Sequence, residues 1–444
     1  MTALAKTFHD NVPQYKIVRG NDYYLETECG RRFLDFTSGI TGHSILGYSQ
    51  DKVIEKIKAQ AELICHADYK VFRDEVREEL AELLLSMSQH SLDSVYFVGS
   101  SGGEACEAAM KMSYAHHRQR GMLDKCHFIS RKQGYHGSTS DSLSVGDRPN
   151  LDLFKSFHPT NRHKISEHNY IRNRLPNESE ENYCDRCVEE LRDKILEVGP
   201  KYIAGFVGET TLGGLVGDVV PYESYWRKIR ELCDEFDIHL ILDEVWCGTG
   251  TSGFIYSIDW DDVTPDFIFL GKTLGAGYGA VSAVVTKNSI IQPIKHANGL
   301  IPHSITHQGH TLSCAAALAA QKIIHDERLL ENVRERSKQL RSIFLERLSN
   351  HKYFKDFRGR GLRLSLEYST SENHWFGTTI AGILREKHNV LISGKWHRLS
   401  FSPALIIDSD TCTHVGNLVC DVFEEVAANF DSYRKKINFD QAVF

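Results

Sequence analysis

"PDFIFLGKTLGAGYG", residues 265–279, carries two partial motifs that demand different folds. Gly271-Lys272-Thr273 looks like the end of a phosphate-binding P-loop, while Gly275, Gly277 and Ala280 match the G-x-G-x-x-A of a dinucleotide-binding fold. The P-loop fails locally. Its first glycine belongs where Asp266 stands, so the tight turn that cradles phosphates cannot form. The dinucleotide reading fails in context, because its glycine turn should open a helix and "AVSAVV" (280–285) is a small, β-branched run that reads as a strand. What survives is a lysine closing the apolar run "FIFLGK", beside glycines that let another group approach the backbone closely. That placement suits a lysine used covalently.

Outward from Lys272 the chain alternates between two periods. "SVYFV" (94–98) reads as a strand, "GEACEAAMKMSYAHH" puts Ala105, Ala108, Ala109 and Met112 on one helical face, and "CHFIS" (126–130) is the next strand. Later, "YIAGFVGE", the amphipathic "YWRKIRELCDEF" with Trp226, Ile229, Leu232, Cys233 and Phe236 inward, and "HLILDE" form a β-α-β unit. The pattern predicts an α/β protein with a mainly parallel sheet covered by helices. Residues 155–190 are polar and irregular and read as a long surface excursion. From about residue 320 the style changes to a long charged helix, short strands around "RGLRLSLEY" and a final helix near 412–430. The first 60 or so residues read as a hairpin and loop. The expected organisation is an N-terminal segment, 1–60, packing with a small C-terminal domain, 321–444, around a large domain, 61–320.

A chain of 444 residues, 41% hydrophobic and 25% charged, is ordinary for a soluble globular protein with one sizeable core and an appended domain. A net charge of −7 without long Lys/Arg runs gives no general attraction to nucleic acid or anionic membrane, which leaves small molecules as the expected partners. The opening "MTALAKTFHDNVPQYK" lacks the apolar stretch of a secretory signal, and no segment approaches a membrane span, so a cytoplasmic location is expected. The eleven cysteines are scattered, and Cys184-x-x-Cys187 lacks a second pair or histidines at zinc spacing. Reduced thiols and no metal are expected.

Ligands of α/β sheets sit beyond the carboxyl ends of the strands, and here those ends carry Ser100-Ser101-Gly102-Gly103, Tyr135-His136-Gly137, Glu209, Asp243-Glu244 and Lys272. "HLILDE" alone could be the acidic strand of an ATPase, but that strand should follow a glycine-rich lysine loop, and Lys272 comes after it. A lysine nucleophile, a buried strand-end aspartate and a glycine-rich helix start are together what pyridoxal phosphate requires: a Schiff base, a partner for the pyridinium nitrogen and an anion site. With matching motifs from "LDFTSGI" near residue 34 to "SPALII" near 407, the chain resembles the fold-type I, class III aminotransferases, which include the ornithine and ω-amino-acid enzymes. The resemblance covers most of the chain. It implies a large domain on a mainly parallel, seven-stranded sheet, a smaller α+β domain from both chain ends, pyridoxal 5'-phosphate as cofactor and a homodimer.

It also implies roles. Lys272 carries the cofactor as a Schiff base and moves the substrate proton, and Asp243 keeps the pyridine nitrogen protonated. Val245 and Tyr135 cover the two ring faces, while Ser101, Gly102 and Gly103 lead into a helix that binds the phosphate. Read alone, those three small residues are only a helix cap. Thr306, in "SITHQGHTLSCAAALAA", corresponds to the threonine that reaches the phosphate of the neighbouring subunit, and His307 and His310 beside it receive no role. Arg398 resembles the arginine that pairs with a substrate carboxylate, and Glu209 the acid that masks it; a surface ion pair is the competing reading for both.

The sequence departs from the family pattern at Gly103, where a hydroxyl residue is usual, at Trp246, where glutamine is usual, and at Thr210, where proline is usual. Trp246 cannot accept a hydrogen bond from a cofactor oxygen and adds bulk beside the ring. Arg398 also lies farther from Pro403-Ala404-Leu405 than the family spacing. The expected activity is transfer of an amino group from an amine or ω-amino acid to a 2-oxo acid such as pyruvate or 2-oxoglutarate. Decarboxylation or amino-group migration on the same cofactor is the alternative, because the choice depends on which bond stands perpendicular to the ring. An ATPase built on "LILDE" and "GKT", and a relative that binds the cofactor without turnover, are the other rivals.

Overall fold

The computed structural model describes residues 15–148, 151–301, 303–371 and 373–434, so most of the opening stretch read for a secretory signal lies outside the described residues. The chain divides into two compact units: the residues up to Gln50 with those from Arg334 onward, and Asp51–Val333. The expected boundaries at 60 and 320 therefore move. The helix Asp51–Leu63 packs on the helix Thr311–Asp326, which makes it part of the second unit's core, and the chain leaves that unit inside the helix Leu329–Leu348.

The first unit begins with an antiparallel meander, β1 (Ile17–Asn21), β2 (Tyr24–Thr27) and β3 (Arg32–Asp35). The second unit is built on seven strands: β4 (Ser94–Phe97), β5 (His127–Arg131), β6 (Arg162–Ile165), β7 (Ile203–Glu209), β8 (His239–Asp243), β9 (Phe267–Leu270) and β10 (Ala283–Thr286). Their spatial order is β4-β10-β9-β8-β7-β5-β6, and only β10 runs against the others. Every residue of β7, β8 and β9 is buried, as expected where helices cover both faces and strands become continuous apolar runs.

The helix Gly102–Gln119 buries Ala105, Ala108, Ala109 and Met112, and the three alanines let it lie close against the sheet. The helix Tyr225–Glu235 buries Trp226, Ile229, Leu232 and Cys233 on one face. Phe236, expected inward with them, is its C-cap and only half-buried.

Residues 155–190 are not a surface excursion. They supply β6, the edge strand paired in parallel with β5, and the first turns of the helix Glu180–Val198. "RHKI" hides its strand character because an edge strand has one partner and keeps polar side chains. Lys164 is accommodated there by donating to Ser130 Oγ at 2.7 Å and to the Val145 carbonyl, and burial lowers its amine to about 7.

The first unit continues with β11 (Phe354–Arg360), β12 (Arg363–Tyr368), β13 (Val390–Leu391), β14 (Ser393–Lys395) and β15 (Arg398–Phe401). β11, β12, β15 and β14 form an antiparallel sheet, and β13 joins the meander by pairing in parallel with β3. The two chain ends thus share one sheet. No helix among the described residues is long and apolar enough to cross a membrane.

Candidate active site

The six parallel strands of the second unit direct their carboxyl ends to one side, and the loops leaving β4, β5, β7, β8 and β9 meet there. β9 ends at Leu270; Lys272 opens the short turn Lys272–Gly275 with φ +31, the left-handed region that costs a non-glycine residue about 1–3 kcal/mol. The surroundings enforce that conformation. Thr249 donates its hydroxyl to Thr273, and Gln321, from the helix Thr311–Asp326, donates to the Leu274 carbonyl at 2.9 Å; all three side chains are fully buried. A Cβ on Gly271 would lie 3.0 Å from the Gly102 amide nitrogen, so the lysine turn rests on the start of the Gly102–Gln119 helix.

That helix start is pre-formed for an anion. Ser101 is the N-cap, and Glu104 completes a capping box by accepting the Ser100 and Ser101 amides at 2.8 and 2.9 Å. The amides of Gly102 and Gly103, the first two of the helix, have no acceptor among the described residues. They and the helix dipole favour a phosphate. A Cβ on Gly103 would sit 3.1 Å from Ser142 Oγ and 3.3 Å from Gly137 Cα. The close passage of the Gly137 loop accounts for glycine at a position where the family usually has a hydroxyl residue.

Asp243 closes β8 and is buried with both oxygens engaged: His136 Nδ1 lies 2.8 Å from Oδ2, and the Val245 amide donates to Oδ1 at 2.9 Å. His136, itself buried, carries no sequence signal beyond its place beside Tyr135 in "GYHG". Val245 packs on the helix start so tightly that a Cβ on Gly102 would fall 2.5 Å from its Cγ2. The neighbouring acid faces the opposite way. Glu244 is fully buried, accepts from Thr210 Oγ1 and the Ser257 and Ile258 amides, and is pushed up to about 8 by burial. It anchors the loop that leaves β8 to Thr210 and to the start of the 257–260 turn.

Two aromatic rings flank the lysine. Lys272 Nζ lies 5.9 Å from the centroid of Tyr135 and 5.1 Å from that of Trp246. Trp246 is held by its indole N–H, which donates to Asp218 Oδ1 at 2.7 Å, and by its contact with Gly213. Glu209, at the end of β7, accepts the Tyr135 amide at 3.0 Å and the Gly213 amide at 2.9 Å; burial raises its carboxyl above the usual range, opposed by His136 and by those two amides.

Ser101, Gly102, Gly103, Tyr135, Glu209, Asp243, Val245, Trp246 and Lys272 thus lie in one connected site. Thr306 is exposed in the same unit, on a loop tied to β4 by Tyr96, whose hydroxyl donates to the His303 carbonyl, and by Gln308, which donates to the Phe97 carbonyl at 3.0 Å. Arg398 lies in the first unit, buried on β15 with Nε 3.3 Å from Ser400 Oγ. No group of three or more His, Cys, Asp or Glu suited to a metal occurs among the described residues.

The family model "Aminotransferase class-III" matches residues 5–423. The chain belongs to the class III aminotransferases. It is 34% identical over 355 residues to an uncharacterised aminotransferase of Schizosaccharomyces pombe, covering 79% of this chain and 76% of the relative. With gamma aminobutyrate transaminase 2 of Solanum lycopersicum it shares 31% identity over 395 residues, 86% and 85% of the two chains. Among solved structures, the ω-transaminase of Pseudomonas jessenii in complex with PMP superposes with a TM-score of 0.90 at 27% identity, covering 96% of this chain and 97% of that one.

This class III aminotransferase is a pyridoxal-phosphate-dependent transaminase of fold type I, and the chemistry of the site is compatible with that group: two acceptor-free amides at a helix start, a buried carboxylate and a lysine between two aromatic rings. The decarboxylase or aminomutase alternative is not favoured, since these named relatives are aminotransferases or transaminases. The ATPase reading falls with it, because the lysine turn packs on a helix start from β4 and forms no P-loop.

Proposed function

We propose that this transaminase takes the amino group of an amine or ω-amino acid and passes it to a 2-oxo acid such as pyruvate or 2-oxoglutarate, with Lys272 carrying the cofactor covalently. The observation that carries this reading is the strained Lys272 turn, held against the free amides of Gly102 and Gly103 and flanked by Tyr135 and Trp246. Bound there, pyridoxal phosphate supplies an electron sink for the pair left when the donor's C–H bond breaks.

The protein's own residues do the rest. With the cofactor bound, Lys272 Nζ would act as the general base that takes the proton from the donor's Cα and would hold it as the ammonium until it is given back. Asp243 holds a proton on the ring nitrogen, and the His136 N–H keeps its carboxylate turned toward that task. The Gly102 and Gly103 amides and the Ser101 cap hold the phosphate, while Val245 and Tyr135 bracket the ring. Arg398 pairs with a substrate carboxylate and Glu209 relieves it when the substrate presents an amine end.

Thr306, exposed and on an anchored loop, reaches the phosphate held by a second copy of the chain, so the working unit is a homodimer with shared sites. A cytoplasmic location belongs to the same reading, supported by eleven cysteines that are all free thiols. Borohydride reduction of the cofactor-loaded protein and peptide mapping test the central claim. The label is expected on Lys272, and a label on any other lysine overturns it. Screening amines and ω-amino acids for bleaching of the visible absorbance, then 2-oxo acids for its recovery, tests the donor and acceptor classes.

A further inference from the structure

We infer that Glu209 is a positioning residue that ties the loop carrying Tyr135 to the Gly213 backbone on which the Trp246 ring lies, and so sets the width of the slot between Tyr135 and Trp246 beside Lys272. The inference rests on Lys272 being the cofactor lysine. Glu209 spans two segments that are remote in sequence: Oε1 accepts the Tyr135 amide at 3.0 Å and Oε2 the Gly213 amide at 2.9 Å. The first bond fixes the backbone from which the Tyr135 ring projects. The second fixes the backbone on which the Trp246 ring lies, since a Cβ on Gly213 would meet Trp246 Cδ1 at 2.5 Å and Cγ at 2.8 Å. One carboxylate therefore braces both walls, each through a single backbone amide, while the Trp246 indole N–H is held separately by Asp218.

The carboxylate is launched from a fixed point. Arg131, almost wholly buried, donates to the Glu209 carbonyl, and its other terminal nitrogen lies 2.7 Å from His168 Nδ1. Its guanidinium lies 5.2 Å from the Trp226 ring centroid, so it has no room to swing. Glu209 is 5% exposed, so water cannot replace either bond. Both amides need an acceptor in a dry place, and only a carboxylate offers two equivalent oxygens. Glutamine offers one oxygen and turns an N–H toward the other amide. Holding an active-site wall through such an outer contact matters because small displacements of reacting groups cost large factors in rate.

This role is separable from masking Arg398, which needs a substrate to be visible. Amide hydrogen exchange on the cofactor-free protein reads the clamp directly. In Glu209→Ala the peptides carrying Tyr135 and Gly213 are both expected to exchange roughly tenfold faster or more, and in the isosteric Glu209→Gln one of the two, with the β8 amides unchanged in each. Wild-type exchange of both amides in either variant overturns the inference. Should Glu209→Ala fail to fold, Glu209→Gln alone carries the measurement.

The second arm is kinetic. Loss of the clamp lowers kcat by about tenfold to a hundredfold for simple amines and for carboxylate-bearing donors alike. A loss confined to carboxylate-bearing donors assigns Glu209 to Arg398 and overturns the clamp. Because the exchange arm needs no cofactor, an absent clamp and a cofactor lysine located elsewhere give different results.

Discussion

Replacing Gly102 with Ala tests how closely the lysine turn, the helix start and Val245 are fitted together. The new Cβ would stand 2.5 Å from Val245 Cγ2 and 2.8 Å from Cγ1, where carbon atoms prefer about 3.5–4.0 Å. Roughly 1 Å of movement is required. Val245 cannot supply it freely, because its amide is tied to Asp243 at 2.9 Å, and the helix cannot retreat, because Gly271 already lies against the Gly102 backbone.

Overpacking of this kind costs about 1–3 kcal/mol. Alanine in a helix gains at most about 1 kcal/mol over glycine. Overpacking wins, and a net loss of roughly 1–2 kcal/mol is expected in urea unfolding of the cofactor-free protein. Weaker cofactor binding by equilibrium dialysis should accompany it, since the displaced amide is one of the two free donors. Gly382→Ala is the control: it lies inside the helix Asn373–His388, nothing stands within 4 Å of its would-be Cβ, and stability should rise by about 0.5–1 kcal/mol. Gly102→Ala with wild-type stability and cofactor affinity would refute the packing argument.

Lys272→Ala should abolish multiple turnover and borohydride labelling while phosphate contacts still retain free cofactor, as dialysis followed by absorbance will show. Asp243→Asn leaves the buried His136 N–H and the Val245 amide competing for one acceptor, so single-turnover rates should fall by orders of magnitude and cofactor binding by much less; wild-type single-turnover rates would remove Asp243 from its role. His117 donates to the Ala204 carbonyl at 2.9 Å, and burial depresses its imidazole to about 4. The unfolded chain therefore binds more protons below about pH 6.5, and stability should fall on acidification by about 2 kcal/mol at pH 5, a slope that His117→Gln should flatten in urea melts. Mixing Lys272→Ala with a Thr306→Ala protein should, after subunit exchange, restore activity above either parent, whereas a fully active monomer in sedimentation excludes shared sites.

Strand and helix character was legible wherever one period dominated a segment. The runs of β7, β8 and β9 follow from burial on both faces, and the Tyr225–Glu235 helix from burial of one face at helical spacing. The chemical parts list was legible for a related reason: Lys272, Asp243 and the glycine-rich helix start sit at strand ends, and residue type with topology narrows what they can do. β6 was not legible, because three of the four residues of this edge strand are polar and only partly buried, which leaves no apolar pattern in "RHKI". Nor were the unit boundaries, which depend on the helix Asp51–Leu63 finding the helix Thr311–Asp326.

The supporting residues of the site belong wholly to tertiary structure. His136 meets Asp243, Gln321 meets the lysine turn, Asp218 meets Trp246, and Glu209 meets Tyr135 and Gly213. Except for Glu209 with Gly213, these pairs join residues 28 to 107 positions apart. Glu209 and Gly213 are close in sequence, yet their bond has meaning only because the Trp246 ring arrives from another loop. The sequence determined which chemistry the strand ends could perform, since residue type and local period are properties of the chain itself. Only the folded structure decided which polar groups hold that chemistry in place, since a buried donor takes its acceptor from whatever the other loops bring within 3 Å.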